Sequence, residues 1–99
     1  MNVNSAGAIT DTGTLTVAGT ASFTTTASNQ AIIIDSSLNS FTGAISLNTL
    51  GAGNATLTSN NNFTLGTSTI GGDLLATAGG NNSLNVSGGL QAGGNITLK

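Results

Sequence analysis

The sequence predicts an all-β fold, a parallel β-helix (β-solenoid) of about five coils of roughly 20 residues each. Apolar residues alternate with polar ones along short segments, Gly- and Asn-rich turns separate these segments, and short phrases return at nearly regular intervals. The chain has 99 residues, enough for one small domain. We therefore take residues 1–99 as a single solenoid segment, either a piece of a longer repeat array or a fibre subunit.

The alternation has the period of a β-strand. Leu15 and Val17 alternate with Thr in TLTV, and Phe63 and Leu65 flank Thr64 in NFTL. Each such segment predicts a strand with one apolar face and one face of Thr, Ser or Asn, whereas the Gly, Thr and Asn content disfavours helix. The same pattern occurs in AISL, NATLT, SLNV and NITL. We expect these apolar residues to point inward: Leu15, Ile34, Ile45, Leu57, Leu65, Leu84 and Ile96.

A longer period lies above the alternation. Gly followed by Asn or Asp occurs at residues 53–54, 72–73 and 94–95, with offsets of 19 and 22 residues. The phrase TLT occurs at residues 14–16 and 56–58 and continues as TLK at 97–99, and a weaker echo relates TLTVAG to SLNVSG over 69 residues. We interpret the shorter offset as one coil. Corner positions then need residues that accept positive φ or form Asx turns, and stacked Asn side chains can bond from coil to coil.

Composition argues against several classes of function. The charged residues are Asp11, Asp35, Asp73 and Lys99, and the chain has no His, Cys, Arg or Glu. Acid–base catalysis and zinc or iron sites depend on the missing types or on clustered carboxylates. We predict no enzyme activity and no catalytic, cofactor-binding or metal-binding residue. The net charge of −2 argues against nucleic acid, and the longest apolar run, AIII, is too short to cross a bilayer.

The phrases resemble a known kind of bacterial repeat. NSFTGAISLN, NATLTSNNNFTLGTSTIGGDLLATAGGN and GGNITL are similar to the repeat region of filamentous-haemagglutinin-like adhesins, large exoproteins of two-partner secretion. The similarity covers nearly the whole chain. It implies a right-handed parallel β-helix, a location outside the cell or on the bacterial surface, and a structural role as the shaft of an adhesin or fibre.

Three sharper interpretations compete with a purely structural one. GGDLL could be a degenerate calcium-binding repeat, but Asp73 is its only carboxylate, so a plain turn is favoured. Asn-x-Ser/Thr occurs about as often as chance predicts, and we expect these Asn residues to be structural: Asn54, Asn62, Asn81, Asn85 and Asn95. A Thr-rich outer face could bind ice or polysaccharide. That alternative requires a flat Thr/Asn array aligned over three or more coils.

Neither end of the sequence has the features of a solenoid cap. MNVNSAGAIT already alternates, and GGNITLK is a complete strand whose only charged side chain is Lys99. Open strand edges present unpaired N–H and C=O groups. We therefore expect the chain to associate with itself end to end.

Overall fold

Short β-strands, all paired in parallel, form the whole architecture. The computed structural model describes residues 1–80 and 82–99. Its strands are β1 (Asn2–Ser5), β2 (Ile9–Thr10), β3 (Thr16–Val17), β4 (Ala21–Ser28), β5 (Ile32–Ile34), β6 (Ser40–Phe41), β7 (Ala44–Leu50), β8 (Ala55–Ser59), β9 (Phe63–Leu65), β10 (Ser68–Ile70), β11 (Leu74–Ala78), β12 (Leu84–Val86), β13 (Leu90–Ala92) and β14 (Ile96–Leu98). Among these residues there is no helix with the length and apolar character needed to cross a membrane.

The strands stack on three sides of a coiled chain. The first sheet has the order β1-β4-β7-β10-β13, and the second sheet has the order β2-β5-β8-β11-β14. On the third side β3 pairs with β6 and β9 with β12, while β9 also pairs with the first residues of β7. Successive strands of a sheet are thus separated by a full turn of the chain, which confirms the predicted β-solenoid.

The coil count differs slightly from the prediction. Coils 1 to 4 each contribute three strands, and coil 5 contributes β13 and β14. The structure therefore has four complete coils and two sides of a fifth. Paired residues lie from 19 positions apart, as for Ala55 and Leu74, to 24 apart, as for Ala21 and Ile45. Most of the offsets exceed the predicted 20 residues, and they vary because the corners differ in length.

The core is built from columns of side chains, one from each coil. One column in the second sheet runs Ile9, Ile32, Ala55, Leu74 and Ile96. Its three middle members are at most 1% exposed. Phe23 and Phe41 fill the space between sides, with ring centroids 6.3 Å apart in an edge-to-face arrangement. Each inward position is therefore covered by its counterparts in the coils before and after it.

Most of the predicted inward residues are buried. Ile34, Ile45, Leu57 and Leu65 are 0–1% exposed, which confirms them as core. Leu15 and Leu84 are partly buried against that core. The prediction for Ile96 was wrong in burial. This residue continues the column above Leu74 but remains 43% exposed, because it belongs to coil 5, the last coil described.

Only one of the two repeated phrases marks the same side of the solenoid in different coils. The TLT phrases were a misleading signal, because Thr16 lies in β3 on the third side and Thr56 lies in β8 of the second sheet. The weaker echo is structural: TLTVAG contains β3 and SLNVSG contains β12, both on the third side. A Thr-Leu-Thr phrase suits any half-buried strand, so its return does not by itself identify the side on which it lies.

Candidate functional site

The corner between the first and second sheets carries a ladder of Asn and Asp side chains. Oδ1 of Asn54 accepts a hydrogen bond of 2.8 Å from the backbone N–H of Asp73, and Oδ1 of Asp73 accepts one of 2.8 Å from the N–H of Asn95. The predicted side-chain ladder therefore exists, but its acceptors bond to backbone N–H groups rather than to the amide of the next side chain. Each rung connects one coil directly to the next.

Two glycines that precede an Asx residue make room for this ladder. A Cβ on Gly72 would overlap Oδ1 of Asn54, and a Cβ on Gly94 would overlap Oδ1 of Asp73. The sequence predicts either positive φ or an Asx turn at these corners. Among the glycines that the structure describes, Gly51 and Gly80 have positive φ, at 63° and 64°, whereas Gly53, Gly72 and Gly94 do not. The Gly-Asx phrase recurs because glycine lets the side-chain oxygen of the preceding coil reach the N–H of the following residue.

Substitution of Gly71 tests whether glycine is required at this corner because neighbouring coils approach each other closely. A Cβ at this position would overlap the backbone carbonyl of Gly51 in the preceding coil. Gly71→Ala should force the two coils apart and lower the free energy of unfolding by about 1–3 kcal/mol, measured by urea denaturation. Gly13→Ala is the matched control, since a Cβ there meets nothing within 4 Å. Equal stability of both variants would contradict close approach at this corner.

A second polar cluster connects coils 1 and 2. Asn39 is 0% exposed, and its Oδ1 accepts a bond of 2.8 Å from the N–H of Leu15. Its Nδ2 donates a bond of 2.7 Å to Oδ2 of Asp11. The Asp11 carboxylate also accepts bonds from the N–H groups of Asp35 and Ser36. Asp11, the one Asp among residues 1–80 and 82–99 that is partly buried, thus holds the following coil in place.

The outer face of the first sheet carries aligned rows of uncharged polar side chains. The paired positions Asn4, Thr24, Asn48, Thr69 and Gln91 form one row across all five coils. A parallel row contains Asn2, Ser22 and Ser46. We call these eight residues the polar face. The row spacing is that of neighbouring strands, about 4.8 Å. This alignment was not visible in the sequence, where the members belong to unrelated phrases.

The outer face of the second sheet is less regular. Its row is Thr10, Ile33, Thr56, Leu75 and Thr97, so apolar residues interrupt the threonines. A shallow depression of about 260 Å³ lies between this row and the Asx ladder, with Thr56, Leu75 and Thr97 on one side. The Thr-x-Thr pattern of β8 is therefore not repeated in the coils that flank it.

The residues weighed as possible sites have structural contacts in most cases. Asp73 uses Oδ1 to hold Asn95, and no group of three or more His, Cys, Asp or Glu lies together within residues 1–80 and 82–99. Asn62 resembles Asn54, since its Oδ1 accepts a bond of 2.7 Å from the N–H of Ser83. Asn85 lies exposed on β12. Asn81 lies outside the described residues.

The sequence profile of one protein family, described as repeats of unknown function (DUF5649), matches residues 1–48 and again residues 52–99. The chain belongs to this family. No curated protein and no solved structure matches it significantly.

The two DUF5649 repeats divide the strands evenly. The first matched segment contains β1 to β6 and most of β7, and the second contains β8 to β14. Because three strands make one coil, each repeat spans slightly more than two coils. The first repeat consequently begins in the first sheet and the second begins in the second sheet. The solenoid continues across the junction between the repeats without interruption.

Proposed function

We propose that this chain is a structural shaft segment of a secreted or cell-surface bacterial adhesin or fibre, that it associates with itself end to end, and that it has no catalytic role. A shaft requires coils that can be added one after another while the cross-section stays the same. The resemblance of GGNITL and related phrases to filamentous-haemagglutinin-like repeats supports this function.

The observation that carries the proposal is the uniformity of the contacts between coils. The column through Ile32, Ala55 and Leu74 passes across the junction of the two DUF5649 repeats as it does within each repeat. In repeat proteins of this kind, stability depends mainly on contacts between neighbouring units. More repeats therefore lengthen the solenoid and leave its width unchanged.

Tandem fusion tests this property directly. One, two and three copies of the chain joined head to tail should give particles whose maximum dimension grows by about five strand spacings, roughly 24 Å per copy, at constant cross-section. Small-angle X-ray scattering measures both quantities. Immunogold labelling of the producing cells tests the location, with label expected on the surface. A cross-section that grows with copy number, or label confined to the cytoplasm, would contradict the proposal.

The polar face supports a second candidate function, binding of an uncharged polysaccharide or of ice. This alternative required a flat Thr/Asn array aligned over three or more coils, and the row aligns Asn4, Thr24, Asn48 and Thr69 over four successive coils before it ends at Gln91. The row offers hydroxyl and amide groups at regular spacing without a charged side chain. Such a surface suits a neutral partner that presents hydroxyl groups at intervals.

Paired substitutions on two sheets separate this candidate from the shaft. Thr24→Leu combined with Thr69→Leu removes two hydroxyls from the polar face, and Thr56→Leu combined with Thr97→Leu is the control on the second sheet. If the polar face binds a glycan, the first pair should weaken binding about thirtyfold, since two hydrogen bonds at about 1 kcal/mol each contribute about 2 kcal/mol. A glycan array followed by titration calorimetry measures this. Equal affinities for both pairs would exclude the polar face as the site.

A further inference from the structure

We infer that the two DUF5649 repeats present their broad faces on successive sides of the solenoid, because the side on which a strand lies follows from its order in the chain rather than from its own sequence. The broad face of a repeat is the outer surface of the side that carries its longest strands. This arrangement goes beyond the shaft function, since it sets the direction in which each repeat meets a partner that lies along the solenoid.

The strands of the two repeats correspond one to one, with a shift of one side. The part of each repeat that the structure describes contains seven strands, with β7 counted in the first repeat. In chain order, β1, β4 and β7 of the first sheet correspond to β8, β11 and β14 of the second sheet. Likewise β2 and β5 of the second sheet correspond to β9 and β12 on the third side, and β3 and β6 correspond to β10 and β13 of the first sheet. Every strand is thus displaced in the same direction.

Equivalent strands keep similar sequences although they lie on different sides. GAISL at residues 43–47 includes the start of β7 in the first sheet, and GNITL at residues 94–98 includes β14 in the second. FTTTAS at residues 23–28 belongs to β4, and LLATAG at residues 74–79 includes β11. Both pairs of phrases are 51 residues apart, as are the starts of the two matched segments.

Each side of the solenoid makes the same physical demands on a strand. Phe23 and Leu74 are equivalent, and each is 1% exposed, one in the first sheet and the other in the second. Gly43 and Gly94 are also equivalent. A Cβ on Gly43 would overlap the backbone of coil 2, and a Cβ on Gly94 would overlap a side chain of coil 4. Apolar residues inward and glycine at the close corner are therefore required of the strand on whichever side it lies.

The longest strands change sides with the repeat. Within residues 1–80 and 82–99, the strands of four or more residues are β1, β4 and β7 in the first sheet and β8 and β11 in the second sheet. The first three belong to the first repeat and the other two to the second repeat. The broad face of the first repeat is therefore the outer face of the first sheet, which includes most of the polar face. The broad face of the second repeat is the outer face of the second sheet.

This rotation determines how a partner that lies along one side contacts the repeats. The two broad faces point about one third of a turn apart, because three strands make one coil. In an array of such repeats, seven coils would separate equivalent residues on the same side, a distance of about 34 Å at one strand spacing per coil. A rigid partner along one side would meet equivalent contacts at that interval, while three successive repeats would offer them in three directions.

A chain made of two copies of the first repeat tests whether order sets the side. It joins residues 1–51 to a second copy of residues 1–48, which gives the 99 residues of the natural chain. The second copy's β1 should take the place of β8 beside β5, although β1 of the first copy lies in the first sheet. The second copy's β2 should lie on the third side, although β2 of the first copy pairs with β5.

Pairs of introduced cysteines distinguish the two positions. Ile33 pairs with Thr56 of β8 in the natural chain. Ile33→Cys in the first copy should therefore be linked by a short thiol-reactive cross-linker to Asn4→Cys in the second copy. Ile33→Cys with Thr10→Cys in the second copy should be linked poorly. Ile33→Cys with Thr56→Cys in the natural chain gives the reference yield, measured by mass spectrometry of proteolytic fragments.

A chain made of two copies of the second repeat provides an independent test. It joins residues 52–99 through residues 49–51 to a second copy of residues 52–99. The second copy's β8 should lie beside β12 of the first copy, so Asn85→Cys should be linked to Thr56→Cys of the second copy. Linkage to Thr64→Cys of the second copy should be poor, although Thr64 pairs with Asn85 in the natural chain. Circular dichroism shows whether each duplicated chain folds.

The cross-links of any duplicated chain that folds decide the outcome. Linkage of Ile33→Cys to Asn4→Cys, or of Asn85→Cys to Thr56→Cys, supports the rotation. Preferential linkage of Ile33→Cys to the second copy's Thr10→Cys, or of Asn85→Cys to the second copy's Thr64→Cys, would overturn it, because each strand would then keep the side of its original. Failure of both duplicated chains to fold would also overturn it, since strand sequences would then be fitted to one side.

Discussion

Leu57→Asp should cause the largest loss of stability at neutral pH. Leu57 is 0% exposed and lies in the column between Ile34 and Ala76. The substitution removes a buried apolar side chain and leaves a carboxylate among apolar neighbours, at a cost of about 3–5 kcal/mol or more. A domain of this size has roughly 5–15 kcal/mol in total. Urea denaturation monitored by circular dichroism measures the loss.

The neighbouring outward position provides the control for this variant. Thr56→Asp puts the same carboxylate on the same strand, but on the outer face of the second sheet, and should change stability by less than about 0.5 kcal/mol. Burial raises the pKa of a carboxyl above its value in the unfolded chain. The deficit of Leu57→Asp should therefore shrink at acidic pH and grow as the pH rises. Equal losses in the two variants would place Leu57 outside the core.

Asn39→Leu should cause the second large loss of stability. Asn39 is fully buried and bonds both the N–H of Leu15 and the carboxylate of Asp11. Leucine has a similar volume but no amide, so the Leu15 N–H loses its acceptor and Asp11 loses a donor. Each unsatisfied group costs about 1–3 kcal/mol, which gives a total of about 2–6 kcal/mol for the two groups. Hydrogen exchange should show the loss first in coils 1 and 2.

Asn60→Leu is the matched control for the buried amide. Asn60 is exposed, and its backbone rather than its side chain bonds to Asn39. The change should be within about 0.5 kcal/mol of the unchanged chain. If Asn39→Leu were as stable as Asn60→Leu, the polar cluster of Asp11 and Asn39 would not hold the first two coils together.

The fold was predictable because two local signals agree. Alternating side chains identified most strands, and the Gly-Asx phrases at 53–54, 72–73 and 94–95 identified one corner in three successive coils. Both signals arise from contacts that every coil must repeat. The coil length was less accurate, since the other corners vary in length and composition and carry no common phrase.

The reason for the repeated glycines could not be read from the sequence. Positive φ and close approach of another coil both favour glycine, and Gly72 meets the second requirement through the side chain of Asn54 and the backbone of Ala52, both in the preceding coil. The hydrogen bond between Asn39 and Asp11 could not be predicted for the same reason, because these residues lie 28 positions apart in the sequence and in different coils. The polar face was hidden for a related reason, because its rows appear only when the register between strands is known.

The central claim is the register of the parallel coils, and pairs of introduced cysteines test it most directly. The chain has no cysteine of its own. Thr56→Cys with Leu75→Cys places two thiols on directly paired outward positions of β8 and β11, whereas Thr56→Cys with Thr77→Cys displaces one thiol by two residues. A short cross-linker with two thiol-reactive groups, followed by mass spectrometry of proteolytic fragments, should link the first pair efficiently and the second poorly. Preferential linkage of the displaced pair, or equal linkage of both, would contradict the stacked coils.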